Sequence, residues 1–257
     1  MMSTVRIEDE LGVRTITLNR PERRNALVPE MQEELIAALK GAESAGARVV
    51  VLAGAGEAFC AGLDLSALQG MAGQSAEEYR VDAERIGRMF RALWECDLPT
   101  LAVVQGAAVA GGTGLATICD FTLASPEAKF GYTEARIGFV PALVSAYLAL
   151  QLGDKAARGL LLSARIFGAD EALRLGLVSE VVERGQLQTR AMELAAQLMA
   201  NSPESLRATK RLLRAQQAER LDRALALAME ANAASRQTAD FREGVAAFLE
   251  KRKPVWK

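Results

Sequence analysis

The chain of 257 residues contains no histidine. That absence removes the commonest general base near neutral pH, the Ser-His and Cys-His nucleophile pairs, and the commonest zinc ligand. Acid-base work must fall to carboxylates, lysine or tyrosine. Cysteine is scarce: Cys60, Cys96 and Cys119 are odd in number and form no C-x-x-C pair. Neither a disulfide framework nor a thiolate metal site is therefore expected, and a reducing cytoplasm is the natural setting. Neither sign of charge is in surplus, the formal net charge being −1, so neither nucleic acid nor a membrane surface is expected as a partner. Long apolar runs are missing, as is the pattern of a secretory leader at Met1-Met2-Ser3-Thr4-Val5-Arg6, which predicts a soluble, unprocessed protein. There is also no G-x-G-x-x-G, no P-loop and no cluster of metal ligands.

What remains is ordinary globular material, half hydrophobic and a quarter charged, in a chain long enough for one substantial core. Val5 to Glu8 and Val13 to Leu18 read as a hairpin, and Pro29 to Ala45 as a helix with Met31, Leu35, Ala38 and Leu39 on one face. Arg48 to Ala53 is a buried strand ending at Gly54-Ala55-Gly56. Ser75-Ala76-Glu77-Glu78 has the spacing of a capping box ahead of a helix whose apolar stripe is Ile86, Met89, Phe90 and Leu93. Thr100 to Gln105 and Phe121 to Ala124 are further strands, with a helix from Gly111 to Ile118 between them. Beyond Pro141 the reading is helical (142–152, 155–162, 170–175, 186–200, 203 to about 236, and 240–251), apart from a strand at Val178 to Val182. These elements predict an α/β core over residues 1–200 and a helical region over 201–257 whose apolar residues, Leu212, Leu213, Leu221, Leu225, Leu227 and Met229, call for a covering surface such as a neighbouring subunit.

Two segments rich in small residues stand out: Ala58-Phe59-Cys60-Ala61-Gly62-Leu63-Asp64 and Val109-Ala110-Gly111-Gly112-Thr113-Gly114. Glycine lets a ligand approach the backbone, and a turn leading into a helix leaves its first N–H groups unpaired. Gly111-Gly112 taken alone reads equally well as a simple helix start. Glu134, taken alone, reads equally well as a loop residue paired with Arg136.

Taken in order with Leu18-Asn19-Arg20-Pro21 and Asn25-Ala26-Leu27, the segments resemble the enoyl-CoA hydratase/isomerase (crotonase) family over nearly the whole chain. The resemblance implies a spiral of strand-strand-helix turns followed by a C-terminal helical trimerisation region, in a homotrimer or a hexamer made of two trimers. It implies an acyl-CoA thioester as substrate, in fatty acid metabolism, with no separate cofactor because coenzyme A is part of the substrate. The backbone N–H groups of Ala61 and Gly111 would form an oxyanion hole, and Glu134 would move the proton beside the thioester carbonyl. Arg24 and Ala26 match the adenine and phosphate loop, and Phe248 and Lys251 a terminal helix that reaches coenzyme A. Gly62, Leu63, Asp64, Gly112 and Gly114 complete the expected binding set, with Leu63, Met71, Tyr79, Met89, Phe139, Leu143 and Trp256 as candidates for the pantetheine and acyl pocket.

One family position departs. Three residues after Gly111 the family carries its first catalytic glutamate, and this chain has Gly114. A glycine can neither activate water nor hold a proton. Hydration of a 2-enoyl-CoA is the leading expectation, from overall similarity to enoyl-CoA and methylglutaconyl-CoA hydratases. Single-base isomerisation of the double bond between C3 and C2 is the alternative that Gly114 favours. A non-catalytic acyl-CoA scaffold is a third. Asp64 and Asp120 are expected to cap helices or anchor loops rather than to replace the missing carboxylate.

Overall fold

The computed structural model of the protein describes residues 3–70 and 74–256, the side chain of Leu68 excepted. Met71, one of the pocket candidates, lies outside the described residues.

The hairpin forms from β1 (Val5–Glu10) and β2 (Val13–Leu18), with Val5 opposite Leu18 and Glu10 opposite Val13. Helix α1 (Pro29–Lys40) begins on a proline, whose missing N–H costs nothing in a first turn, and buries Met31, Leu35, Ala38 and Leu39. Strand β3 (Val49–Gly54) then pairs parallel to β2. A short α2 (Leu65–Gly70) precedes α3 (Ala76–Trp94). The expected capping box opens α3, Ser75 accepting from the Glu78 N–H and Glu78 from the Ser75 N–H, and Ile86, Met89, Phe90 and Leu93 are buried.

The next two turns of chain share one pattern. In the first, β4 (Thr100–Val104) and β5 (Ala107–Val109) precede α4 (Gly111–Ile118). In the second, β6 (Phe121–Ala124) and β7 (Lys129–Gly131) precede a 3-10 turn at Glu134–Ile137 and α5 (Ala142–Leu152). After them come α6 (Asp154–Ser163), β8 (Ile166–Gly168), α7 (Ala169–Leu175), β9 (Glu180–Val181) and α8 (Leu187–Met199). The chain closes with α9 (Pro203–Ala215), α10 (Ala218–Ser235) and α11 (Ala239–Leu249).

The first strand of each turn joins a six-stranded sheet of order β1-β2-β3-β4-β6-β9, parallel beyond the hairpin. The second joins a three-stranded sheet of order β5-β7-β8. A parallel bridge from Cys60 to Ala108 lets the β3 turn touch the smaller sheet too. This is the expected mixed α/β spiral. The inner strands β3 and β4 are largely apolar because both faces are covered. Val50, Leu52, Ala102 and Val104 face the helices α1, α3, α4, α5 and α10, while Val49, Val51, Leu101 and Leu123 face α8.

Several features differ from the sequence reading: the helix from Pro29 ends at Lys40 rather than Ala45, and α2 is not marked in the sequence. β5, β7 and β8, three residues each, were unmarked, since so short a run cannot display a period. The helix expected from 203 to about 236 is two helices, broken at Gln216-Gln217 with neither glycine nor proline. Of these, α10 packs on α3 and α5 of its own chain, and Leu221 and Leu225 enter the main core. No residue of α9 is fully buried, and Leu212 and Leu213 are exposed. No helix among the described residues is long and apolar enough to cross a membrane.

Candidate functional site

Three stretches of backbone meet at the edge of the smaller sheet. The first, Arg20 to Leu27, is stapled down by Asn25, which is fully buried with φ 54°. Its Nδ2 group lies within hydrogen-bonding reach of the carbonyls of Ala55, Ala58 and Phe59 (2.9, 2.9 and 3.1 Å), and its Oδ1 accepts from the Arg20 N–H at 2.9 Å. Arg20 in turn donates to the Ala26 carbonyl and pairs with Asp64 at 3.0 Å.

The second and third stretches, 58–64 and 109–114, are held together by their glycines. Gly62 has φ 82°, and a Cβ there would lie 2.9 Å from the Ala110 Cβ. A Cβ on Gly112 would lie 2.1 Å from the Cys60 carbonyl oxygen, closer than atoms pack. Both glycines are therefore required for the close approach of the two segments. Ala110 holds φ 53° and ψ −124°, and its N–H donates to the Gly131 carbonyl at 2.6 Å. This strained alanine turns the chain so that Gly111 starts α4, where the first N–H groups have no intrahelical acceptor and no side chain caps them. The Ala61 N–H donates to the Arg24 carbonyl at 3.0 Å.

Glu134 opens the 3-10 turn after β7. α11 clamps that turn through two backbone contacts: a Cβ on Gly244 would lie 2.3 Å from the Ile137 carbonyl carbon, and one on Gly138 2.4 Å from the Asp240 carbonyl. Glu134 is 8% exposed, and its Oε2 is buried without a hydrogen-bond partner among the described residues. Burial pushes its pKa up to about 7, with partial relief from its own backbone N–H. An unpaired carboxyl held near neutrality can both give and take a proton.

These pieces line one cavity of about 400 Å³. Arg24, Ala61, Leu63, Gly111, Glu134 and Phe248 all face it, and of the pocket candidates Phe139 and Leu143 join them. Glu134 is the one carboxylate on the wall among the described residues. The other sequence candidates stand behind it. Ala26 is buried with its carbonyl held by Arg20, Gly62 and Gly112 serve segment packing, and Asp64 caps α2 by accepting from Ser66 and Ala67. Asp120 anchors Thr100 and pairs with Lys210. Lys251 is beside the wall, while Arg252, paired with Glu243 and Glu250, is on it. Met89 and Tyr79 are core residues away from the lining, and the exposed Trp256 is not on it either.

Gly114 is not itself on the wall: a Cβ there would lie 2.7 Å from Val144 Cγ1 and 3.1 Å from Phe90 Cε1, two residues that are. The space beside Gly114 is filled with hydrocarbon. Residues that the sequence reading did not single out for the site, Val144 of α5, Asn232 of α10 and Arg252, also line the cavity. Only Arg252 carried a signal, within the basic run Lys251-Arg252-Lys253.

Comparison with known proteins gives one family. The sequence pattern described as enoyl-CoA hydratase/isomerase matches residues 8–257. A Thermus thermophilus protein that carries the name enoyl-CoA hydratase provisionally is 46% identical over 243 residues, 94% of this chain and 96% of its own. The short-chain-enoyl-CoA hydratase of Clostridium acetobutylicum is 33% identical over 98% of this chain and 97% of its own. Among solved structures, an enoyl-CoA hydratase/isomerase from Xanthobacter autotrophicus Py2 superposes with a TM-score of 0.89 at 33% identity, covering 98% of each chain.

Proposed function

Since the chain belongs to the enoyl-CoA hydratase/isomerase family, we propose that it hydrates a 2-enoyl-CoA to the 3-hydroxyacyl-CoA with Glu134 as its one proton-transfer group. The observation that carries this reading is a single carboxyl, buried and with its Oε2 unpartnered among the described residues, on the wall of a largely apolar cavity.

In this scheme the thioester oxygen accepts from the backbone N–H groups of Ala61 and Gly111. The Glu134 carboxylate takes a proton from water as the water oxygen bonds to C3, and the electrons of the double bond move to the thioester oxygen as an enolate. The protonated Glu134 then returns the proton to C2, so that one water is added and the carboxylate is regenerated. Loss of either N–H donor at such a site typically costs about 3 kcal/mol of transition-state stabilisation. Because the Ala61 N–H already donates to the Arg24 carbonyl, the arriving oxygen shares or replaces that acceptor. Arg24 and Arg252 offer cations for the phosphates of coenzyme A, with Ala26, Phe248 and Lys251 beside them. Coenzyme A arrives with the substrate, so the scheme needs no further cofactor. The exposed apolar residues of α9 and Leu227 of α10 support a homotrimer or a pair of trimers.

The apolar filling around Gly114 favours a second reading. With no second carboxyl, the same Glu134 could remove a C2 proton from a 3-enoyl-CoA and return it to C4, which is isomerisation. Assay of purified protein with matched 2-enoyl- and 3-enoyl-CoA thioesters separates the two. Water addition to the 2-enoyl thioester supports hydration. Conversion of the 3-enoyl thioester without hydration supports isomerisation and refutes the first reading.

A further inference from the structure

The buried part of the cavity wall contains a polar group that neither scheme uses. Asn232 of α10 is 3% exposed, lines the cavity, and its Oδ1 finds no partner among the described residues. The neighbouring wall is hydrocarbon from Ile86, Phe90, Leu143 and Val144, supplied by α3 and α5, the helices against which α10 packs. Leaving a carboxamide unpaired in such surroundings is unfavourable, and an alkyl chain filling the cavity would leave it so.

One helical turn further on lies Arg236, 2% exposed, with its guanidinium 5.6 Å from the centre of the Phe139 ring and 5.9 Å from that of Tyr79. Phe139 is itself part of the wall. Arg236 and Arg85 both pair with Asp82, so two cations share one anion behind the cavity. The Nε, Nη1 and Nη2 atoms of Arg236 nevertheless lack aligned hydrogen-bond partners among the described residues. Unsatisfied polarity on the wall and a buried cation behind Phe139 thus coincide in one part of the cavity.

We propose that this end of the cavity recognises an oxygen-bearing end group on the acyl chain, hydroxyl or carboxylate, with the Asn232 carboxamide as the specificity-determining contact. The unpaired Oδ1 accepts from a hydroxyl, whereas a carboxylate, which only accepts, takes its hydrogen bond from the Nδ2 group of the same carboxamide. The cations behind it add attraction for an oxygen that carries negative charge. A site built to bond an oxygen rejects a chain lacking it far more strongly than an apolar pocket rejects an extra methylene. The inference rests on the acyl-CoA reading above but not on which reaction follows binding.

The test measures binding of saturated thioesters that contain no double bond. Butanoyl-, 4-hydroxybutanoyl- and succinyl-CoA form one series, and hexanoyl-, 6-hydroxyhexanoyl- and adipoyl-CoA a longer one, each titrated calorimetrically into wild type, Asn232→Leu and Asn232→Asp. In at least one series the wild type should bind an oxygen-ended probe about tenfold or more tighter than the methyl-ended one. Asn232→Leu should abolish that preference, and Asn232→Asp should weaken the carboxylate-ended probe selectively by like-charge repulsion. If the leucine variant does not fold, the aspartate variant and the wild-type preference still decide. Equal or tighter binding of the methyl-ended probes by wild type overturns the inference, as does a preference that survives in Asn232→Leu. Failure of every thioester to bind would instead overturn the acyl-CoA reading beneath it.

Discussion

Replacing Glu134 with glutamine should make the protein more stable at alkaline pH while removing its activity. The folded chain holds this carboxyl at a pKa of about 7 against an ordinary glutamate value of 4.5. That difference corresponds to about 3 kcal/mol. Below pH 4.5 the side chain is neutral whether the chain is folded or not, and there is no penalty. Between 4.5 and 7 the unfolded chain releases the proton first while the folded chain retains it, so stability falls as pH rises. Above 7 the folded chain carries the full cost of a buried, unpartnered charge. Glutamine has the same shape and never ionises. The advantage of Glu134→Gln over wild type should therefore grow by about 3 kcal/mol between pH 4.5 and pH 8. Urea denaturation of both proteins, at matched concentration so that subunit association does not enter the difference, reads this directly. Turnover should fall by roughly 10²–10⁴-fold over the same range. A stability difference that stays flat with pH, or that shrinks as pH rises, would refute the claim that Glu134 is buried without a partner.

Other substitutions test the surrounding architecture. Gly114→Glu should cost about 2–3 kcal/mol, because its Cβ would meet Val144 Cγ1 at 2.7 Å, and Val144→Ala in the same chain should recover at least half, as judged by urea midpoints. No difference between the single and double variants would mean that Val144 is not the obstruction. Ala110→Gly should raise thermal stability, since relief of about 1–2 kcal/mol of left-handed strain exceeds the roughly 0.5–1 kcal/mol glycine loses in chain entropy; a lowered Tm would contradict the strain at φ 53°. Asn25→Ala should cost about 2–4 kcal/mol by leaving buried carbonyls of the 55–59 segment unpaired. It should also weaken acyl-CoA binding, as the Arg24 loop is released; unchanged affinity would show that this loop needs no staple. Light scattering should give three or six times the 27.5 kDa chain mass, and a monomer would leave Leu212, Leu213 and Leu227 without the partner proposed for them.

Much of this architecture is legible from sequence because local chemistry decides it. The capping box at Ser75-Glu78 and the stripe of α3 are nearest-neighbour effects, and the unbroken apolar run of β3 follows from burial on both faces. The two small-residue segments were legible as a pair, though for a partly different reason: Gly62 and Gly112 let the segments touch each other, while Ala61 and Gly111 face the cavity. What could not be read depends on distant packing. β5, β7 and β8 are strands only because they pair, and three residues are too few to display alternation. Asn232 enters the cavity because α10 docks on α3 and α5, which no window around position 232 reveals. The filling of the space at Gly114 by Val144 and Phe90 is equally a matter of tertiary contact. Sequence shows a glycine at position 114 but not what surrounds it.

The central claim is that Glu134, acting alone, moves a proton at the carbon beside a thioester whose oxygen the Ala61 and Gly111 N–H groups hold. Exchange of the C2 protons of butanoyl-CoA with deuterated water tests it most directly, because exchange needs the enolate but neither hydration nor isomerisation. Followed by proton magnetic resonance, the wild type should incorporate deuterium at C2 with a rate that rises through pH about 7, the value burial gives to Glu134. With no histidine in the chain, no ordinary imidazole can account for that limb. Glu134→Gln should lose at least a hundredfold of the rate. Exchange that continues unchanged in Glu134→Gln, or its absence from a wild type that still turns over enoyl-CoA, would contradict the account.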